Sequence, residues 1–479
     1  MRKKRTWQVV TLILLLLSSM PSYSVAASER RLSFDQTVAP GVLSVGAKQT
    51  SRGAASTIRA ADAMTTTVYL PLVMRNYTKM ILPQDPAYEA GDQWGLDKIQ
   101  APEAWGVTTG SDQVIIAVID SGVDLDHPDL QDKIIAGWDF VNNDDQPDDD
   151  YSHGTHVAGI AAAVTDNDLG IAGVSWGARI MPVKVLNSGG SGYMSDVIDG
   201  MRYAADHGAQ VLNLSLGSIT TSQALQDAVD YSRSKSAVVI AAVGNCGSGC
   251  SIGGTYYYNP DMYPASCQNV VGAAATTSTD GWASFSEHNT YVDISAPGVS
   301  IYSTVPGGYN YKQGTSMATP FVSGLAALIL SKWPTYTPSQ VETALFNNAD
   351  DLTAYPGGSG RDDYFGYGRI NAYHTLLYGA EAGGSSMETQ AAEPPPANSD
   401  APFAPGELLV KFKDDGSIYS AEVASVLEHH DLQVSGTIPG LGITRLIVPA
   451  GREWDTIAAL QEEPLVEYAE PNYLVWALE

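Results

Sequence analysis

Three residues far apart in the chain carry the groups from which a nucleophilic relay is built. They are a carboxylate at Asp120, an imidazole at His153 and a hydroxyl at Ser316. Asp120 ends the apolar run Val114–Ile119 and precedes Ser121-Gly122, which puts a carboxylate at the mouth of a strand. His153 opens His153-Gly154-Thr155-His156-Val157-Ala158-Gly159, whose small residues suit a helix packed tightly in a core. Ser316 lies in Gly314-Thr315-Ser316-Met317-Ala318-Thr319-Pro320 ahead of an apolar helix. A helix start favours negative charge on a hydroxyl, and Pro320 is expected near its first turn. Asn245 follows the run Val238–Ala242, and its side-chain NH2 can donate to a developing oxyanion. Each signal alone is ordinary, because Asp and Asn close turns and Ser caps helices. His156 raises a metal pair with His153, but the spacing lacks the glutamate of an HExxH site.

The elements that must position these groups alternate in type. Strand-length apolar runs recur at Val114–Ile119, Ile180–Val185, Val211–Leu214, Val238–Ala242 and Val270–Ala274. Helical patterns at Met194–His207, Ser222–Ser234 and Thr319–Lys332 lie between or after them. Continuous apolar strands alternating with helices predict an α/β fold, a buried, doubly wound, mainly parallel sheet with helices on both faces. Active groups in such sheets gather at the carboxyl ends of the strands.

Taken together, VIDSGVDLDHPDL, HGTHVAGI, AAVGN and GTSMATP resemble the subtilase (subtilisin-like) family in its Asp, His, Ser order, closest in flavour to its thermitase branch. WGLDKIQAPEAW and GRINAY fit as well, and the resemblance spans roughly Asp85–Gly379. It implies a serine endopeptidase in which Ser316 attacks the scissile carbonyl, His153 carries the proton and Asp120 fixes the imidazole. Asn245 and the Ser316 amide would hold the oxyanion. It also implies an extended substrate between two edges, Ser188–Gly192 (with Ser188, Gly189 and Gly190) and Leu214-Ser215-Leu216-Gly217. The pocket before the cut is expected between Ser215–Gly217 and Ala241–Gly244, including Ala242 and Gly244. Its small, apolar lining implies broad specificity with an apolar or aromatic preference. Val243 and Phe321 depart from the family's usual Ala and His, and a Cys-rich stretch, Cys246–Cys267, follows Asn245.

The same resemblance implies structural Ca2+. Val164 to Ile171 resembles the family's strong calcium loop, with the Val164, Leu169 and Ile171 carbonyls, the Asn167 side chain, Asp129 and Asp85 as ligands. Oxygen ligands of this kind suit the ion. Asp139, Asn142, Asp144 and Asp148 fall on a second site of the thermitase branch, with Asn142 replacing a carboxylate.

The ends of the chain set the context. Residues 1–26 read as a secretory signal peptide, with Arg2 to Arg5, a short apolar run Val9–Leu17 and small residues before a cut. The run is too short to span a bilayer, and no later segment reads as membrane-spanning. A secreted protein follows, extracellular or at the cell surface, and a monomer is expected. Residues 27–84 read as a linker or pro-segment, 85–379 as the peptidase domain and 380–405, with three successive prolines, as a linker. Residues 406–479 read as a small α/β module: strand Leu408–Phe412, helix Ala421–His430, strand Ile443–Val448, helix Trp454–Glu462 and an extended end. Its PGELLVKFK and VEYAEPNY resemble the two ends of the inhibitor-like subtilase propeptide, a ferredoxin-like unit that normally precedes the protease domain. That implies an intramolecular inhibitor whose tail lies in the cleft. A net charge of −27 argues against nucleic acid as a partner, leaving proteins and peptides as substrates. Three cysteines, Cys246, Cys250 and Cys267, allow one internal disulfide and leave the choice among three pairings open.

Overall fold

A computed structural model describes residues 79–353, 356–381, 401–413 and 420–478. The stretch read as a signal peptide, the stretch read as a pro-segment up to residue 78, and residues 382–400 of the expected linker lie outside the described residues. The first large domain begins slightly earlier than the sequence suggested. Ile81 already packs on the core, and its amide donates to Pro102 O at 3.0 Å.

The main sheet has seven strands in the order β11-β10-β7-β5-β1-β3-β2. These are β1 (Ile115–Asp120), β2 (Trp138–Asp139), β3 (Arg179–Lys184), β5 (Val211–Leu214), β7 (Val238–Ala242), β10 (Val271–Thr276) and β11 (Ile294–Pro297). Every pairing in it is parallel. The period of two explains why the strands read as continuous apolar runs. Along β1, Ile116 and Val118 enter one core while Ala117 and Ile119 enter the other. The first core is closed by three short helices, α1 (Pro86–Ala90), α2 (Trp94–Lys98) and α3 (Ala101–Trp105), and by α4 (His153–Ala162), α7 (Thr315–Lys332), α8 (Pro338–Asn347) and α9 (Ala372–Tyr378). The second is closed by α5 (Met194–Asp206) and α6 (Gln223–Ser234). Outside the sheet lie the short strands β4 (Ser191–Tyr193) and β6 (Leu216–Gly217), and the hairpins β8 (Cys250–Ile252) with β9 (Thr255–Tyr257) and β12 (Ile301–Val305) with β13 (Gly308–Lys312).

Helix α7 begins four residues before the sequence expectation, at Thr315, so Pro320 lies inside it. A proline cannot donate to the carbonyl four residues back, and that carbonyl belongs to Ser316. It finds another partner in the Ser215 hydroxyl, which donates to it at 3.0 Å. The proline therefore frees an acceptor where the sheet's carboxyl edge needs one.

The C-terminal module has one more strand than its sequence pattern showed. It runs β14 (Phe403–Phe412), α10 (Ala421–His429), β15 (Gln433–Ile438), β16 (Ile443–Ile447), α11 (Glu453–Gln461) and β17 (Val466–Ala477), with strand order β15-β16-β14-β17. Its first strand starts at Phe403, inside the expected linker. Strand β15 is mostly exposed and carries Gly436 at a register shift, so no apolar alternation marked it. The arrangement is ferredoxin-like. Leu408, Val410 and Phe412 face the module's own helices, whereas Leu409 between them joins the second core of the large domain with Ile443, Tyr473 and Val475. One sheet thus serves two hydrophobic layers. Among the described residues no helix is long and apolar enough to cross a membrane.

Candidate active site

The residues singled out for nucleophilic chemistry converge at the carboxyl edge of the main sheet. Asp120 ends β1, His153 opens α4 and Ser316 is the second residue of α7. All three are fully buried. His153 Nδ1 lies 2.7 Å from Asp120 Oδ1. A carboxylate only accepts, so Nδ1 is the donor and Nε2 is left as the basic nitrogen. Asp120 Oδ1 also accepts from the Ser121 amide at 2.7 Å. Ser316 Oγ donates to Ser215 O at 2.8 Å, a resting position from which rotation about χ1 must carry it to the imidazole.

Asn245 follows β7 and points its amide oxygen at α7. Thr315 N and Thr315 Oγ1 both donate to Asn245 Oδ1 at 2.9 Å. That fixes the orientation of the amide and leaves Nδ2 buried with no hydrogen-bond partner among the described residues. Gly244 before it holds φ at 113°, a left-handed value that only glycine adopts cheaply, and its amide donates to Thr315 Oγ1 at 3.2 Å.

Sequence reasoning missed the residue that orients the histidine helix. The acidic run reads as a metal loop, yet Asp149 within it is buried. Its Oδ1 accepts from Ser121 Oγ at 2.8 Å, Tyr151 N at 3.0 Å and Ser152 N at 2.9 Å, and its Oδ2 accepts from Thr155 N at 2.9 Å and Thr155 Oγ1 at 2.5 Å. One carboxylate therefore ties the end of β1 to the start of α4. Buried Lys184 does similar work from β3, donating to Ser121 O, Leu186 O and Asp150 Oδ1. The apolar run around it gave no sign of this. His156 is a core residue. Its Nε2 lies 3.1 Å from Ile301 O and 3.2 Å from Asn310 O, and burial pushes its pKa down to about 3.

The expected substrate edges flank a strand of the module. β17 pairs antiparallel with β4 through Leu474–Tyr193, Val475–Gly192 and Trp476–Ser191, and with β6 through Trp476–Gly217 and Ala477–Leu216. Ala477 N donates to Gly190 O at 2.9 Å and Leu478 N to Ser215 O at 3.4 Å. Leu478 is buried, and a Cβ on Gly217 would come within 3.1 Å of its Cδ1. Leu214 and Ala242 end their strands in the same hydrophobic core that Leu478 joins. Ser188 and Gly189 lie outside this pairing. They form the preceding turn, closed by Asn187 Oδ1 accepting from Gly189 N at 2.8 Å, so the edge starts at Gly190.

The module is anchored by side chains two residues apart on β17, which share one face. Glu470 reaches the start of α6, accepting from Ser222 Oγ at 2.5 Å, Gln223 N at 2.9 Å and Ala224 N at 3.3 Å. Asn472 Oδ1 accepts from Ser195 N at 3.0 Å at the start of α5. Orphan amides of two helices are thus satisfied from another domain. Lys411 and Tyr468 both donate to Asp227, and Arg445 pairs with Asp196 and Asp199. Burial raises Glu470 to about 7 and Asp196 to about 6.

Of the two expected cation loops, the first converges. Asp85 and Asp129 are fully buried, burial raises both pKa values, and neither has a salt-bridge partner among the described residues. Asp85 accepts from Asp166 N and Asn167 N, and Asp129 accepts from Ile171 N at 2.9 Å and from Asn167 Nδ2 at 2.9 Å. Two neighbouring buried carboxyls without a cation are costly, so this donor set fits a hard divalent ion, with the Val164, Leu169 and Ile171 carbonyls in the same loop. An ion there requires the Asn167 amide to turn its oxygen inward. In the second loop, Asp139 Oδ1 accepts from Val141 N and Asn142 N and its Oδ2 from Asn142 Nδ2, all at 2.8 Å. Asp144 bridges Asp139 through the backbone, and Asp148 instead accepts from Leu125 N at 3.2 Å. Cys246 and Cys250 form the disulfide, and Cys267 is a free thiol whose pKa burial raises.

Residues 111–368 match the subtilase family model, and residues 389–472 match that of the fervidolysin N-terminal prodomain. The chain is 46% identical over 297 residues to a thermophilic serine proteinase of Bacillus sp. (strain AK1), covering 62% of this chain and 69% of that protein. It is 44% identical over 297 residues to thermitase of Thermoactinomyces vulgaris, covering 62% and 99%. Among solved structures, a protease from Pseudoalteromonas arctica superposes with a TM-score of 0.55 at 30% identity, covering 62% of this chain and 99% of that one.

Replacing Asp149 by alanine removes five donors' acceptor at once. Bonds to a charged acceptor are worth about 1.5–3 kcal/mol each before relaxation. Asp149→Ala is expected to lower both the melting temperature and kcat, whereas Asp145→Ala, on the exposed side of the same run, should change neither appreciably in thermal melts and peptide assays.

Proposed function

The chain belongs to the subtilase family of serine peptidases, and from that premise we propose that it hydrolyses peptide bonds through Ser316, His153 and Asp120, held latent by its own C-terminal module. The observation that carries the catalytic reading is the Asp120–His153 bond at the edge where Ser316 lies in the first turn of α7. His153 Nε2 would take the hydroxyl proton as Ser316 Oγ attacks, and would then give it to the leaving amine. Asp120 holds the tautomer that makes this transfer possible. Asn245 Nδ2 and the Ser316 amide, at the positive end of α7, would bind the oxyanion. Water then releases the acyl group by the same path reversed.

The tail supports both the specificity and the latency. It runs antiparallel between β4 and β6, as an extended substrate would, with Leu478 beside Gly217. Reading the tail as a substrate mimic places Leu478 before the cut, so a preference for leucine-like residues there is proposed. A prodomain-like unit that follows the peptidase domain cannot template it as it emerges, which favours inhibition over chaperoning. Residues 382–400 make docking intramolecular, where effective concentrations reach the order of millimolar. Ca2+ is proposed at the Asp85–Asp129 loop as a structural ion, and at Asp139, Asn142, Asp144 and Asp148 on the resemblance alone. The basic, short apolar start of the chain supports export of the enzyme to the outside of the cell or its surface.

Ser316→Ala should abolish hydrolysis of casein and of peptide anilides without lowering the melting temperature. Residual activity at the wild-type level sinks the triad. Excess EGTA should lower the melting temperature, since an ion bound only to the folded state contributes about 2.7 kcal/mol at a hundredfold excess over Kd. Asp129→Ala should reproduce most of that drop and abolish its dependence on calcium. The module should also be released by alkali. Glu470 is raised to about 7 when docked, from an ordinary value of 4.5. Its contribution to docking is therefore full below about 4.5 and lost as pH rises through about 7. Separately expressed 401–479, titrated into enzyme truncated near residue 381, should inhibit more tightly at pH 5 than at pH 8, with equal potency counting against the assignment.

A further inference from the structure

The loop that carries Asn245 is held from beneath by a group that the reaction scheme above does not use. Glu287, between β10 and β11, is fully buried. Its amide donates to Gly244 O at 3.1 Å, and its Oε1 accepts from Cys246 N at 3.2 Å. Its carboxyl lies directly under Gly244, where a Cβ would approach it to 2.4 Å. Glu287 therefore grips the backbone on both sides of Asn245. The other carboxyl oxygen, Oε2, is 2.8 Å from the Tyr291 hydroxyl, which lies 3.3 Å from Val243 O and 3.2 Å from Pro260 O. The grip thus extends one residue further, to the end of β7.

Thr315 fixes Asn245 Oδ1 from the α7 side, as described above. The remaining freedom of the Asn245 side chain is set by where its own backbone sits. A donor that must meet an oxyanion at about 2.7–3.1 Å tolerates little displacement. We propose that Glu287 is a positioning residue for the oxyanion site, acting through Asn245 by fixing the Gly244–Cys246 backbone. The inference rests on the oxyanion role assigned to Asn245.

The charge state of this carboxyl then matters to the reaction. Burial is the largest influence, and it raises Glu287 to about 8 despite the bonds from Tyr291 and Cys246. Asp261, from the loop before Met262, pushes in the same direction. Tyr291 is itself held well above its ordinary value, His288 next in sequence is held below its own, and Cys246 is tied in the disulfide. No lysine or arginine pairs with Glu287 among the described residues. When protonated, Glu287 donates to the Tyr291 oxygen, the tyrosine donates to a backbone carbonyl, and Oε1 still accepts from Cys246 N. Ionisation places a buried negative charge beneath the spot where the oxyanion develops. Like charges in a buried site oppose each other with little screening, so the rate should fall on the alkaline side as Glu287 loses its proton.

The test is steady-state hydrolysis of a short peptide anilide ending in leucine by the full chain, with wild type, Glu287→Ala, Glu287→Gln, Asn245→Ala and the Glu287→Ala/Asn245→Ala double variant. The tail competes with the peptide for one cleft, so it shifts the apparent KM of all variants and leaves kcat comparable. Glu287→Ala should lower kcat about tenfold with little change in KM, part of what loss of an oxyanion donor costs. In the Asn245→Ala background the same change should cost less than about twofold, because both act on one interaction. Glu287→Gln, which copies the neutral carboxyl, should recover most of the kcat lost in the alanine variant and should lack the alkaline fall above about pH 8. Thermal melts of each variant separate misfolding from loss of rate. An undiminished kcat in Glu287→Ala beside a damaged Asn245→Ala overturns the inference, as does a full tenfold loss in the double background or an unchanged alkaline limb in Glu287→Gln. A silent Asn245→Ala beside an inactive Ser316→Ala instead removes the oxyanion reading on which the inference stands.

Discussion

Ser215 and Ser316 are joined by two hydrogen bonds running in opposite directions, and the geometry of the cleft is measured from that pair. The Ser215 hydroxyl donates to the Ser316 carbonyl, and the Ser316 hydroxyl donates to the Ser215 carbonyl. The first bond exists because Pro320 leaves a helical carbonyl without its usual donor. The second shares its acceptor with Leu478 N. One backbone oxygen at the end of β5 therefore sees both the proposed nucleophile and the segment that occupies the cleft. Whatever moves the β5–β6 edge relative to α7 moves the reacting atoms relative to each other. The surrounding polar network, with Asp149 between β1 and α4 and Thr315 against Asn245, reads as bracing around this junction.

The module imposes a second constraint, because its sheet is sandwiched. Alternation along β14 sends Leu408 and Val410 to its own helices and Leu409 to the peptidase domain. Such a strand cannot expose either face to water without cost, at about 25 cal/mol per Å² of apolar surface. The polar contacts then decide register. Glu470 and Asn472 each complete the start of a helix that the peptidase domain leaves open. They lie two residues apart in β17, so matching both helix ends fixes where Leu474 to Leu478 must run.

Much of this was legible in the sequence for a plain physical reason. A buried parallel sheet requires apolar residues on both faces, so five of its strands stood out as runs, and Val211–Leu214 and Val238–Ala242 have the bounds read from the sequence. Asp120, His153, Ser316 and Asn245 were recognisable because each sits at the end of such a run or at the start of a helix. What stayed hidden were residues whose role depends on distant partners. Asp149 looked like one more acid among Asp144 to Asp150, and its partners Ser121 and Thr155 lie on other elements. Glu287 sits in a polar loop far in sequence from Gly244 and gave no local signal. Strand β15 was missed because its outward side chains are polar and its pairing is interrupted at Gly436. The start of α7 was misplaced because a proline was read as a beginning when it lies within the helix.

The shared strand β17 has a consequence for direction in time. While docked it has hydrogen-bonded neighbours on both sides, β14 within the module and β4 and β6 across the cleft. Once detached, its last residues lose the partners on one side and become a loose extended segment. That is the conformation in which an extended substrate is proposed to bind here, so on that reading a departed module would be food for any enzyme copy already working. Digestion of the segment destroys the very residues needed to dock again. If the module holds the enzyme latent as proposed, release would behave as a ratchet: the first active molecules would shorten the life of every other module, and a population of silent chains would switch on abruptly, with a delay set by the rarest early openings.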